Sequence, residues 1–116
     1  MTNLPTILHI TTPSAWAEAQ QKGQYTADSL PTEGFIHCST PAQVVYVAND
    51  RFRGRNDLIL LVITSHLVRP PIVYEDCYET GQLFPHIYGP LNLDAVTQVL
   101  PFPSDTDGRF ILPVGL

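Results

Sequence analysis

Hydrophobic and polar residues alternate in several short segments of the chain, which is the pattern of β-strands with one buried face. The segment 57–64 is instead apolar almost throughout, as expected of a strand buried on both faces. Glycine- and proline-rich turns separate these segments. The pattern predicts strands over residues 6–11, 34–39, 57–64, 72–75, 84–88, 97–102 and 109–113.

Two stretches of the first half begin with Thr-Pro and are predicted to be helices. Thr12 is the expected N-cap of a helix that ends at Gly23. Thr40 is the expected N-cap of a second helix, with Gln43 completing a capping box, that continues to about residue 50. Residues 24–33 are interpreted as a loop, and a short helical turn is predicted around residues 92–96.

These elements predict an α+β fold, in which two N-terminal helices pack on a mostly antiparallel sheet or split barrel. The 116 residues, of which 44% are hydrophobic and 15% charged, are typical of one globular domain with its own core. We therefore expect a single domain over residues 1–116.

The charge balance disfavours some classes of partner. A net charge of −5 argues against a nucleic-acid or anionic-membrane surface. No apolar run approaches the ~20 residues that span a bilayer, and no basic leader is visible, so we expect a cytoplasmic protein with reduced Cys38 and Cys77. Arg51, Arg53 and Arg55 are interpreted as cations at a helix C-terminus, with a local anion site as the alternative.

Three of the four histidines lie in apolar, strand-like segments. Burying an unpaired polar group costs roughly 1–3 kcal/mol, so three such placements indicate a shared polar site. Alternation puts each histidine on the same face as a hydroxyl-bearing neighbour. The predicted ligand-binding residues are His9, Thr11, His37, Ser39, His86 and Tyr88.

Imidazole, hydroxyl and phenol groups can bind sugar hydroxyls, phosphates or carbonyls. Glu75 ends an apolar strand, where it could act as a general base or stabilise a developing cation. His37 and Glu75 are therefore the candidate catalytic residues. The alternative is that each histidine is a structural residue with a partner inside the fold.

A metal site is not predicted. Zinc could draw on histidines and cysteines of these segments, but Cys38 faces away from His37, and none of the usual zinc-binding spacings occurs. The sequence also contains no glycine-rich phosphate loop and no nucleophile elbow. The residues weighed as zinc ligands are His9, His37, Cys38, Cys77 and His86.

The motifs resemble those of a known family. Leu8-His9-Ile10-Thr11, Gly34-Phe35-Ile36-His37-Cys38-Ser39 and Phe84-Pro85-His86-Ile87-Tyr88-Gly89-Pro90-Leu91 look like the uncharacterised bacterial family called domain of unknown function 952. The resemblance covers nearly the whole chain. It implies no activity, because none is established for that family.

A more distant resemblance, to ADP-ribosyltransferase-like folds including RNA 2′-phosphotransferases, implies a chemistry. There His9 matches the ribose-binding histidine, Thr11 the motif threonine, and His37 the second-strand histidine, while Ile10 replaces the motif glycine. Glu75 is the matching acid. The resemblance implies NAD or another ribose-phosphate ligand and ADP-ribosyl or phosphoryl transfer. The alternative is a non-catalytic ligand-binding or protein-interaction module with the same fold.

Overall fold

The computed structural model describes residues 5–77 and 79–116, and this part of the chain contains three α-helices and eight β-strands. The helices are α1 Pro13–Lys22, α2 Ser29–Glu33 and α3 Pro41–Arg51. The strands are β1 Thr6–Thr11, β2 Gln24–Tyr25, β3 Ile36–His37, β4 Ile59–Thr64, β5 Ile72–Glu75, β6 Phe84–Ile87, β7 Leu91–Asn92 and β8 Val96–Pro101. Short 3-10 turns occupy Ser65–Leu67 and Leu93–Ala95.

The strands form three antiparallel sheets, in the orders β1-β4-β8, β3-β6-β5 and β2-β7. An antiparallel bridge between Leu8 and Ser39 joins the first sheet to the second, through backbone hydrogen bonds of 2.7 and 2.8 Å. The mixed α and β composition and the antiparallel pairing confirm that part of the predicted fold class. The bridge also brings β1 beside β3, which places two of the histidine-bearing segments together.

Strand β4 is buried on both faces because a core lies on each side of it. Leu61 and Ile63 belong to a first core under α1, whereas Leu60 and Val62 belong to a second core under α3. Successive side chains of a strand face opposite sides, so both sets of positions must be apolar. The continuous apolar run of the sequence is thereby explained. Strand β1 shares this arrangement, with Ile7 in the first core and Leu8 in the second.

Both predicted helices are confirmed, together with their caps. The Ala15 N–H donates to Thr12 Oγ1 at the start of α1, and Gly23 ends that helix with a φ of +84°. At the start of α3 the Thr40 N–H donates to Gln43 Oε1. These local bonds fix the ends of the two helices that border the cores.

Two predicted segments differ from the structure. Residues 29–33 form α2 rather than loop; Pro31 is tolerated because it lies in the first turn, where an N–H has no intrahelical partner. Residues 109–113 are not a strand, because their backbone groups bond to loops instead: the Phe110 N–H donates to Asn49 Oδ1 and the Arg109 N–H to Asp105 Oδ1.

The predicted strand over residues 34–39 is regular only at Ile36–His37, and the short strands β2 and β7 were not predicted. The predicted helical turn near residue 93 is confirmed. None of the helices in the described residues has the length and apolar character needed to cross a membrane.

Candidate functional site

A cleft of about 330 Å³ is lined by residues of β1, β3 and β6 and by one face of α3. We call it the histidine cleft, because His9, His37 and His86 all line it. Its volume is near the lower end of the range for small-molecule sites. The other lining residues are Leu8, Ile10, Ser29, Cys38, Ser39, Tyr46, Val47, Asp50, Arg51, Phe52, Thr80, Gln82 and Phe84.

His86 is the most enclosed of the three histidines, with 2% of its surface exposed. One face of its ring stacks on Phe35, with ring centroids 4.0 Å apart and planes 14° from parallel. Its Nδ1 lies 2.8 Å from Glu75 Oε1, and the Tyr88 hydroxyl donates to the same oxygen. The ring is therefore fixed by packing and by its hydrogen bond to Glu75.

The Glu75 carboxylate is held in its ionised form. Hydrogen bonds from Tyr88 and from His86 lower the pKa of Glu75. A carboxylate can only accept, so His86 Nδ1 carries the donated proton. In the neutral ring the remaining nitrogen, Nε2, is then a hydrogen-bond acceptor.

His37 lies directly across the β3–β6 ladder from His86, with ring centroids 5.3 Å apart. Its Nε2 is 2.8 Å from Glu33 Oε2. Glu33 is the last residue of α2, and the reversal of the chain after that helix places the carboxylate beside the imidazole four residues later. The unpredicted helix α2 therefore positions a partner of the site.

His9 is buried and makes two hydrogen bonds inside the fold. Its Nδ1 lies 2.5 Å from the carbonyl oxygen of His37 and its Nε2 lies 2.7 Å from the Tyr25 hydroxyl. Desolvation lowers the pKa of His9 from about 6.5 to about 4, so the ring is neutral at pH 7. Because the carbonyl can only accept, Nδ1 carries the proton and Nε2 accepts from Tyr25. Thr11 Oγ1 extends this network, 2.9 Å from the same hydroxyl.

The structure brings some of the predicted site residues together and not others. His9, His37, Ser39 and His86 line the histidine cleft. Glu75 and Tyr88 lie behind His86 and are not among the lining residues, and Thr11 faces a smaller cavity of about 170 Å³ beside Tyr25. Glu75 therefore bonds to His86, which lines the cleft, but does not line the cleft itself.

Two of the three clustered arginines lie in different surroundings. Arg51 lines the histidine cleft, whereas Arg55 bonds to the carboxylate of Asp57 through Nε at 2.9 Å and through Nη2 at 2.6 Å. The positions of the two arginines differ because Arg51 is still within α3 and Arg55 follows the helix. Arg51, in the last turn of α3, therefore contributes a positive charge to the wall of the cleft.

The wall formed by α3 was not predicted from the sequence. Tyr46, Val47, Asp50 and Arg51 contribute to it, with spacings of three residues (47 to 50) and four residues (46 to 50 and 47 to 51). Such spacing places side chains on one face of a helix and was the available signal. The loop after β5 adds Thr80 and Gln82, and it is held by Asp76, whose carboxylate accepts from the Thr80 and Gly81 N–H groups.

The two cysteines differ in environment. Cys38 is a buried free thiol, and burial raises its pKa well above the ordinary value. Cys77 is exposed, and its Sγ lies 3.8 Å from His86 Nδ1. Single donor atoms of Glu75, Cys77 and His86 all lie within 4.8 Å of one another.

Comparisons with known proteins agree on the family and the fold. A family model described as protein of unknown function (DUF952) matches residues 10–99. The crystal structure of protein CC0527 from Caulobacter crescentus has a TM-score of 0.82 and 30% sequence identity, over 92% of this chain and 94% of that chain. The solution NMR structure of CC0527 has a TM-score of 0.76 and 30% identity, over 90% of each chain. No curated protein matches the chain.

Proposed function

The chain belongs to the DUF952 family, and from the geometry of its own cleft we propose that it binds NAD or another ribose-phosphate ligand. The observation that carries this proposal is the convergence of His9, His37 and His86, from three separate strands, on one cleft. A concave surface with several polar groups is what a ligand carrying several polar groups requires.

The composition of the cleft supports a nucleotide-like ligand. Phe52, Phe84 and Tyr46 supply aromatic surface for a base, and the imidazoles and Ser39 supply hydrogen-bonding groups for ribose hydroxyls. Arg51 adds a cation for a phosphate. A volume of about 330 Å³ suits one nucleoside-phosphate half of NAD better than the whole dinucleotide.

The resemblance to ADP-ribosyltransferase-like folds supports the same ligand class. In that resemblance His9 matches the ribose-binding histidine and His37 the second-strand histidine, and here the His9 ring bonds to the backbone of His37 at 2.5 Å. Since both His9 nitrogens are bonded within the fold, we assign His9 to holding the strands together. Direct contacts to the ligand then come from His37, His86 and Ser39.

Isothermal titration calorimetry with NAD and with ADP-ribose, in chelator-treated buffer, tests this proposal. The wild-type chain should bind one of them, and His37→Ala should weaken binding by roughly 10-fold or more, the scale of a lost hydrogen bond to a charged or polar ligand group. His66→Ala is the matched control, because the exposed His66 lies outside the cleft. Absence of heat with both ligands at millimolar concentration, or equal losses in the two variants, would refute the proposal.

A catalytic role rests on a second observation, the bond between Glu75 and His86. The carboxylate holds the proton on Nδ1, which leaves the Nε2 lone pair for the hydroxyl of an acceptor. In the proposed transfer, nicotinamide leaves C1′ of NAD with the electrons of the C–N bond. The acceptor oxygen then bonds to C1′ and its proton passes to Nε2. The rival proposal is a module that binds the ligand without this chemistry.

The substitution Glu75→Gln distinguishes the transferase proposal from the non-catalytic binding module. The amide keeps the size of the side chain but lacks the charge that stabilises a protonated His86. Under the transferase proposal, nicotinamide release should fall by roughly 10²-fold while NAD affinity changes little. The measurement is nicotinamide release by chromatography, alongside calorimetry of binding. Binding without any release by the wild-type chain would instead favour the non-catalytic module.

A further inference from the structure

Glu75, Cys77 and His86 come from two neighbouring antiparallel strands and the residues that follow the first of them. Glu75 ends β5, Cys77 lies two residues later, and His86 is in β6, across the ladder from Val73. The ladder therefore brings a carboxylate, a thiol and an imidazole together. The three residues do not have the spacing of a known zinc-binding motif. The sequence pattern therefore did not indicate this group.

Two of the three separations between the donor atoms are close to those around a small tetrahedral ion. Zinc bonds of about 2.0–2.3 Å put neighbouring ligand atoms about 3.3–3.8 Å apart. Cys77 Sγ and His86 Nδ1 are 3.8 Å apart. Glu75 Oε1 and His86 Nδ1 are 2.8 Å apart because a proton lies between them. Replacing that proton by an ion requires this pair to open by about 0.5 Å, the difference between the two spacings.

The charge and softness of the group favour the same class of ion. A thiolate and a carboxylate would neutralise a divalent cation, and a sulfur and a nitrogen ligand favour zinc over magnesium or calcium. Desolvation raises the pKa of the Cys77 thiol, and the negative charges of Glu75, Glu33 and Asp76 around it raise that pKa further. A bound cation would reverse this effect, because it stabilises the thiolate.

We propose that Glu75, Cys77 and His86 form a three-ligand site for a divalent ion of the zinc class, which takes the place of the proton on His86 Nδ1. Water or another exogenous ligand completes the tetrahedron. The ion is bound on the Glu75 side of the His86 ring, behind the histidine cleft rather than within its lining.

Metal binding at this site would change the tautomer of His86, and with it the hydrogen-bonding group that His86 presents to the cleft. This consequence rests on the proposed function. With the proton on Nδ1, the Nε2 atom is an acceptor. When Nδ1 binds an ion, the neutral ring carries its proton on Nε2 and presents a donor instead. Metal binding would thus change which ligand groups His86 can meet, favouring phosphate or carbonyl oxygens over a hydroxyl proton.

Cobalt(II) titration of the full chain tests the site without any nucleotide. Cobalt bound to a thiolate gives a charge-transfer band in the near ultraviolet, and a tetrahedral site gives intense visible bands. We expect both bands in the wild-type chain, their displacement by Zn²⁺, and no displacement by Mg²⁺. Cys77→Ser should remove the charge-transfer band and weaken Zn²⁺ binding at least ~10-fold.

Two matched controls make the result specific. Cys38→Ala removes the other thiol, and His66→Ala removes an exposed histidine that is not part of the group. Both should keep the bands. Bands absent from the wild type, or lost in Cys38→Ala but kept in Cys77→Ser, would overturn the proposal. Because the ligand test is done in chelator and the metal test without nucleotide, the two proposals can fail separately.

Discussion

At the scale of single residues, His9 shows how a buried histidine can serve structure while bordering a site. Its ring links β1 to the backbone of β3 through Nδ1, and to Tyr25 of β2 through Nε2. Three strands from three different sheets thus meet at one side chain. Its neutral form is favoured because desolvation of the buried ring disfavours the positive charge and lowers the pKa of His9.

Stability should therefore depend on pH through His9. The pKa of His9 is about 4 in the folded chain and near 6.5 in the unfolded chain. Between these values the unfolded state takes up a proton that the folded state does not, so stability falls as pH decreases from about 6.5 to about 4. The full loss is about 3 kcal/mol, at 1.36 kcal/mol for each pH unit of the difference.

His9→Gln tests this dependence by urea unfolding at neutral pH and near pH 4. The variant should be less stable at neutral pH by ~1–3 kcal/mol, since a buried group loses a partner. It should also lose about 3 kcal/mol less than the wild type on acidification. His66→Gln is the control and should retain the wild-type slope. An unchanged slope in His9→Gln would mean that His9 is not the titrating group.

At the scale of secondary-structure elements, the parts of the fold that were predicted are those coded by neighbouring residues. Thr12 and Gly23 mark the ends of α1 by bonds within a single turn. The apolar run of β4 was correctly identified because burial on both faces leaves a continuous signal. Such local rules do not depend on where the rest of the chain lies.

Elements that depend on distant partners were missed. Strand β2 consists of only Gln24–Tyr25 and exists because it pairs with β7, more than sixty residues later. Residues 109–113 have strand-like alternation, but the Phe110 N–H is taken by Asn49 of α3. In both segments the backbone structure depends on a hydrogen-bond partner that is distant in sequence, not on the local pattern.

The same distinction applies to the candidate site. Alternation predicted that His9, His37 and His86 each share a strand face with a hydroxyl-bearing neighbour, and in the structure the three histidines line one cleft. The wall from α3 and the approach of Cys77 to His86 depend on packing and on sheet register, to which single-sequence patterns are blind. Glu75 was identified as a carboxylate of interest, yet only the structure shows that it bonds to His86.

At the scale of the whole molecule, β4 couples the two cores. Leu60 and Leu61 are adjacent in sequence and both fully buried, yet they belong to different cores. The two faces of β4 therefore belong to different cores. Loosening either core should disturb the strand on which the other depends.

We expect the two cores to unfold in one transition, and Leu60→Ala tests this. The substitution removes packing from the second core and should cost ~2–5 kcal/mol. Trp16 is the single tryptophan and packs against the first core, so its fluorescence reports on the core that the substitution does not touch. If β4 couples them, the urea midpoint from Trp16 fluorescence should shift as far as the midpoint from far-ultraviolet circular dichroism. Leu67→Ala, at an exposed leucine outside both cores, should move neither midpoint appreciably. A Trp16 midpoint that stays at the wild-type value while the dichroism midpoint falls would show that the cores unfold independently.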